Sequence, residues 1–130
     1  MHSAEFRTIR EFVGLTAADI ADHCGVDVSV VRTWEQPGQQ PSAEAAVYVY
    51  SALLYFNEYA DYVLDISARW QSIFSQPLVF ELELYPNSES YGRGAGARHD
   101  WPESVYTRLQ GYLFALTIGR AKCSIQWADD

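Results

Sequence analysis

Few residues of this chain stand at spacings that catalytic chemistry uses. Glu81 and Glu83 lie two apart in "FELEL", on one face of a strand, like a carboxylate pair for acid–base work. "RHD" at 98–100 sets His99 beside Asp100, but no nucleophile is placed against them. "YGRGAGARH" is glycine-rich, as phosphate-binding loops are. It lacks the Gly-Lys-Ser/Thr ending of a P-loop and the G-x-G-x-x-G of a dinucleotide site. It reads as a loop in which Arg93 and Arg98 can touch DNA or a partner. His2, His23 and His99 are scattered, and Cys24 and Cys123 form no C-x-x-C pair. The expectation is therefore no enzyme, no cofactor and no metal. Glu81 and Glu83 read as solvated strand residues, and the cysteines as reduced thiols of a cytoplasmic protein.

One stretch has spacing of another kind. "LTAADIADHCGVDVSVVRTWE", residues 15–35, reads as two short helices joined by a glycine turn. Thr16 can cap the first helix, with Asp19 three residues on as a variant of the capping box. Gly25 follows its end, where a left-handed conformation is cheap only for glycine. Asp27 can cap the second helix, through Glu35. Ile20, Ala21, Val26, Val31 and Trp34 supply the small and apolar residues needed where the helices cross. In a helix-turn-helix the first helix braces and the second lies in the major groove, so the side chains that open the second must stay out of the core.

The elements that hold this stretch follow from periodicity. Ser3 caps a first helix with Phe6, Ile9 and Val13 at helical spacing and Gly14 as its stop. "QPGQQPS" is a turn. Ser42 then caps a long helical pattern, with no Pro or Gly in residues 42–76. Unbroken, it would run about 50 Å, so it either breaks once or extends into a dimer. After Pro77 the pattern changes to period two. Phe80, Leu82 and Leu84 alternate with Glu81, Glu83 and Tyr85 as a half-buried strand. "PNSESYGRGAGARHD" is a loop, with Asp100 as the cap of the next helix. Trp101-Pro102 opens that helix, Val105, Leu109, Leu113 and Leu116 line it, and Gly119 closes it. Cys123, Ile125 and Trp127 alternate in a last short strand. The expected fold is mainly α: a helix-turn-helix bundle, a long helix and a small strand-helix-strand extension. The soft boundary at 76–78 divides it into residues 1–76 and 77–130.

Composition sets the class. A hydrophobic share of 48% and an aromatic share of 15% call for a packed core rather than a disordered acidic tail. The longest charge-free apolar run, residues 45–57, is short of the ~18 residues that span a bilayer. No signal peptide is expected, because no basic stretch and apolar run open the chain.

The motif carries a resemblance. Leu15, Thr16, Ala21, Gly25, Val26, Val31, Trp34, Glu35, Pro41 and Ser42 stand where the Cro/CI-type, XRE-family helix-turn-helix commonly has these residue types. The match covers about residues 5–45. The remainder more weakly resembles small bacterial and phage regulators with a dimerising extension, including the autorepressors found beside anti-CRISPR genes. The resemblance implies a homodimeric repressor of its own promoter that reads an inverted repeat in double-stranded DNA. It turns Val28, Ser29, Arg32 and Thr33 toward the groove. Ser29 and Thr33 would meet base edges, Val28 and Thr33 a thymine methyl, and Arg32 a guanine or a phosphate. Arg32 reads equally as a solvated surface arginine. Gln36, Gln39 and Gln40 would meet phosphates. Ala17 departs from the family, which very often has a DNA-contacting glutamine there.

Charge pulls the other way. The chain has 9 Lys+Arg against 17 Asp+Glu, a formal charge of -8. Residues 1–40 hold Arg7, Arg10 and Arg32 against Glu5, Glu11, Asp19, Asp22, Asp27 and Glu35. A DNA reader usually presents a basic face. Asp19 and Asp27 serve helix N-termini, and Arg7 and Arg10 can share a face with Arg32 and join it in contacting DNA. The alternative is a helix-turn-helix used as a protein-interaction module, antitoxin-like or anti-repressor, with a protein partner in place of DNA. Self-association is expected in either case through Phe80, Leu82, Leu84, Leu109, Leu113, Ile125 and Trp127, because a sheet of two short strands is marginal alone.

Overall fold

The computed structural model describes residues 1–97 and 100–128, the side chain of Ala97 excepted. The described residues are mainly helical, with one small parallel sheet. In chain order they form α1 (Ser3–Val13), α2 (Ala17–Cys24), α3 (Val28–Trp34), α4 (Ala43–Phe74), β1 (Val79–Leu84), α5 (Ser88–Arg93), a 3-10 turn at Ala95–Ala97, α6 (Glu103–Thr117) and β2 (Lys122–Trp127). They group into two compact units, Met1–Tyr55 and Phe56–Asp130. That division falls inside α4, upstream of the change of periodicity at 76–78. Phe56 stacks on Tyr112 of α6 with ring centroids 5.9 Å apart, which ties the later part of α4 to the strand-helix-strand.

In the first unit, α1 stops at Gly14, whose φ of 83° is left-handed. Its N-cap is His2, not Ser3. Ser3 is the first helical residue and is buried, so its hydroxyl does not cap. Phe6, Val13, Leu15, Ile20, Val31 and Val49 are 0–1% exposed and form the core. α4 starts where Ser42 Oγ accepts the Ala45 N–H at 3.2 Å. It runs unbroken for 32 residues, because nothing between Ser42 and Phe74 removes a main-chain donor or frees the backbone.

In the second unit, β1 and β2 pair in parallel with α6 as the crossover. The register sets Phe80 beside Cys123, Leu82 beside Ile125 and Leu84 beside Trp127. Val105, Leu109 and Leu113 of α6 are buried with Leu82. The stretch expected to be a loop contains α5. Asn87 Oδ1 accepts the Ser90 N–H at 2.8 Å and caps it, Tyr91 is buried, and the Tyr91 hydroxyl donates to the Trp101 carbonyl. A Cβ at Gly94 would collide with the Tyr85 ring. Glycine there serves close packing, not flexibility. α6 begins after Pro102 with no side-chain cap, so Asp100 does not have the capping role expected of it. Arg98 and His99 lie outside the described residues.

Candidate nucleic-acid interface

The geometry of α2, the turn and α3 is set by local chemistry. Thr16 Oγ1 accepts the Asp19 N–H at 3.0 Å and Asp19 Oδ2 accepts the Thr16 N–H at 2.8 Å, a complete capping box. Gly25 turns the chain at φ 67°. Asp27 Oδ1 then accepts the Ser29 N–H at 2.9 Å and starts α3. His23 of α2 stacks on Tyr48 of α4 at 3.8 Å with rings 5° from parallel, holding the bracing helix to the next element.

α3 is fixed from behind. Val31 is fully buried. Trp34, expected in the core, is half-buried and meets Phe6 edge-on at 6.4 Å. Glu35, just past the helix, pairs with Arg10 of α1 through both carboxylate oxygens. Arg10 Nη2 lies 3.1 Å from Oε2, and Nη1 donates to the Leu15 carbonyl at 3.0 Å.

What faces out is Ser29, Val30, Arg32 and Thr33, all exposed, with Val28 half-buried beside them. Thr33 Oγ1 donates to the Ser29 carbonyl at 3.0 Å, so its hydroxyl keeps only acceptor capacity for a further partner. Gln36, Gln39 and Gln40 are exposed on the following turn, and Gln36 Nε2 reaches the Arg32 carbonyl at 3.4 Å. The Asp27 carboxyl is held below its ordinary range, first by the Ser29 N–H and then by the Ser29 hydroxyl, with Arg32 adding attraction. An ionised carboxylate therefore sits at the start of this face.

The three cations of the unit are not equivalent. Arg10 is only 14% exposed and committed to Glu35, so the expected surface contact from Arg10 is replaced by an internal tie. Arg7 pairs with Glu11 at 3.0 Å across an exposed helical turn. Arg32 makes no ion pair among the described residues. The ties of Arg10 and Glu35 lie 25 positions apart in sequence, and no local signal marks them as partners.

The residues expected at a self-association surface divide in two. Leu82, Leu109 and Leu113 are buried within the chain where α6 packs on the sheet, and Phe80 and Leu84 are half-buried. Ile125 and Trp127 stay exposed at 37% and 65%. Glu81 accepts from Gln126 Nε2 at 2.8 Å on the opposite sheet face. Among the described residues no helix is long and apolar enough to cross a membrane. Compared with protein-family models and with curated proteins, the chain matches none.

Proposed function

We propose that Met1–Tyr55 is a helix-turn-helix reader of double-stranded DNA, and that the protein is a cytoplasmic transcriptional regulator. Its place as a homodimeric repressor of its own promoter follows from the resemblance to the Cro/CI-type family. The observation that carries the reading is the two-sidedness of α3. Trp34 and Glu35 tie it to α1 and Val31 is buried behind it, while Ser29, Arg32 and Thr33 stand exposed on its outer side with hydrogen-bonding groups and a methyl. That is the set a major-groove helix needs for direct readout. A weak cationic complement leaves little non-specific affinity, so discrimination falls to base contacts and to pairing of two readers about 34–36 Å apart.

A second reading has its own support. Val30 on α3, and Val47, Tyr50 and Leu54 on α4, are 39–66% exposed in a unit with four more acids than cations, Glu5, Glu11, Asp19, Asp22, Asp27, Glu35 and Glu44 against Arg7, Arg10 and Arg32. Apolar surface with an acidic surround suits a protein partner. Fluorescence anisotropy with the duplex upstream of the protein's own gene separates the two. DNA reading predicts saturable binding at an inverted repeat that a scrambled duplex does not compete. Absence of specific binding to any such duplex, with one stoichiometric protein recovered from the native host, would replace it with the second reading.

A further inference from the structure

β2 is left half-covered. Paired residues of neighbouring strands point to one face, so Phe80, Leu82, Leu84, Cys123, Ile125 and Trp127 share the face on which Leu82 is buried. α6 packs against both strands and buries Leu82, yet Ile125 and Trp127 stay 37% and 65% exposed. Among the described residues the edge is open as well. The Lys122 N–H bonds to the Leu78 carbonyl and the Ala128 N–H to the Leu84 carbonyl, both at 2.8 Å. Main-chain groups alternate sides along a parallel ladder, so Cys123, Ile125 and Trp127 direct their N–H and C=O away from β1. An apolar strand edge in this state is a template for another strand. Next to it, Val79, Phe114, Thr117, Ile118 and Cys123 line a cleft of about 510 Å³, with Lys122 among the remaining lining residues.

We propose that a second copy of this chain closes the edge: its β2 runs antiparallel to the first across a twofold axis centred on Ile125. In that register Ile125 faces its own symmetry mate, and Trp127 of each copy falls opposite Cys123 of the other. The indole then enters the cleft against Phe114 and Ile118. All three outward-facing residues of each β2 gain hydrogen-bonded partners, and two marginal two-stranded sheets become one of four strands.

Charge selects this edge over the other. The outward-facing residues of β1 are Val79, Glu81 and Glu83, and the same twofold operation there would set Glu81 against Glu81. Like charges directly opposite destabilise a sheet, and the chain already carries -8. β2 carries Lys122 as its single charged residue. Pairing β1 with the partner's β2 would leave free edges at both ends and add copies without closing. The interface deepens the homodimer of the preceding section, yet it needs no DNA and stands if DNA reading fails.

Sedimentation velocity on the full chain tests it. The parent should be a dimer at tens of micromolar. Ile125→Glu and Ile125→Arg each oppose a like charge at the axis and should sediment as folded monomers, checked by circular dichroism. Their equimolar mixture should recover a dimer, since Glu then faces Arg. Trp127→Ser alters a residue the single chain leaves exposed, and should raise the dimer Kd by roughly tenfold or more. A monomeric parent, dimeric single variants, a folded mixture that stays monomeric, or an unchanged Kd for Trp127→Ser would each overturn the proposal.

Discussion

Arg10 and Glu35 join the second half of α1 to the residue that ends α3, with side chains 14% and 11% exposed. The guanidinium meets the carboxylate through two of its nitrogens and uses a third on the Leu15 carbonyl. A bidentate pair of this kind fixes direction as well as distance. It aims α3. Removing Glu35 as Glu35→Ala should therefore cost about 2 kcal/mol, the order of a charge-assisted hydrogen bond whose partner is left behind. Urea melts read this directly, and a double-mutant cycle with Arg10→Ala should show coupling between the two sites. Additive losses would mean that each side chain acts alone.

If the protein reads DNA as proposed, then with Arg10 spent internally each copy has Arg32 and, once its exposed Glu11 pair opens, Arg7 for phosphates. Two readers then neutralise at most four phosphates through this unit. At about 0.9 per phosphate the slope of log affinity on log salt should be no steeper than roughly -4. Ser29→Ala and Thr33→Ala should each lose about 1–3 kcal/mol on the specific duplex alone. Arg32→Ala should flatten the slope if it meets phosphate, or relax one base position if it meets guanine. A steep slope that survives Arg32→Ala would place the DNA contacts elsewhere.

The lowered pKa of Asp27 gives a signed pH dependence. Its folded-state value lies below the unfolded one of about 3.9. Its contribution is therefore present above that pH and is lost as pH falls through the folded value. Asp27→Asn keeps an acceptor for the Ser29 N–H but removes the charge. Parent and variant should differ in stability at neutral pH and converge as the medium is acidified below about pH 4. A gap that widens on acidification would contradict the capping geometry.

Both thiols are pushed up by burial. Cys24 is raised further by Glu44, against an opposing hydrogen bond with Ser42, and Cys123 is held down in part by Thr117. A raised pKa means less thiolate, so at about pH 8 both should react with a disulfide reagent more slowly than free cysteine. If two copies pair through β2 as proposed, Ile125→Arg separates them and should speed the labelling of Cys123 while leaving Cys24 unchanged. Equal acceleration of both would point to general loosening of the fold rather than to an uncovered edge.

The local devices were legible in the chain before any packing was known. Thr16 with Asp19, Gly25, Asp27 and Ser42 each act through atoms within a few residues of themselves, and they stand in the structure as their types require. The alternation around Phe80 and Ile125 likewise marked both strands, because period two is a property of the chain alone. The misplaced caps at Ser3 and Asp100 show the limit of such signals: more than one residue near a helix start is suited to the role, and neighbours outside the helix decide. Long-range packing set the remaining features. Asn87 and the burial of Tyr91 turn a glycine-rich stretch into α5, since a ring with somewhere to pack outweighs loop composition. The pairing of Arg10 with Glu35 converts an expected surface cation into an internal tie. The parallel crossover through α6 buries Leu82, Leu109 and Leu113 while leaving Ile125 and Trp127 exposed. Residues of one pattern thus have opposite fates, because a single helix lying across two strands buries Leu82 of β1 while Ile125 and Trp127 of β2 stay exposed.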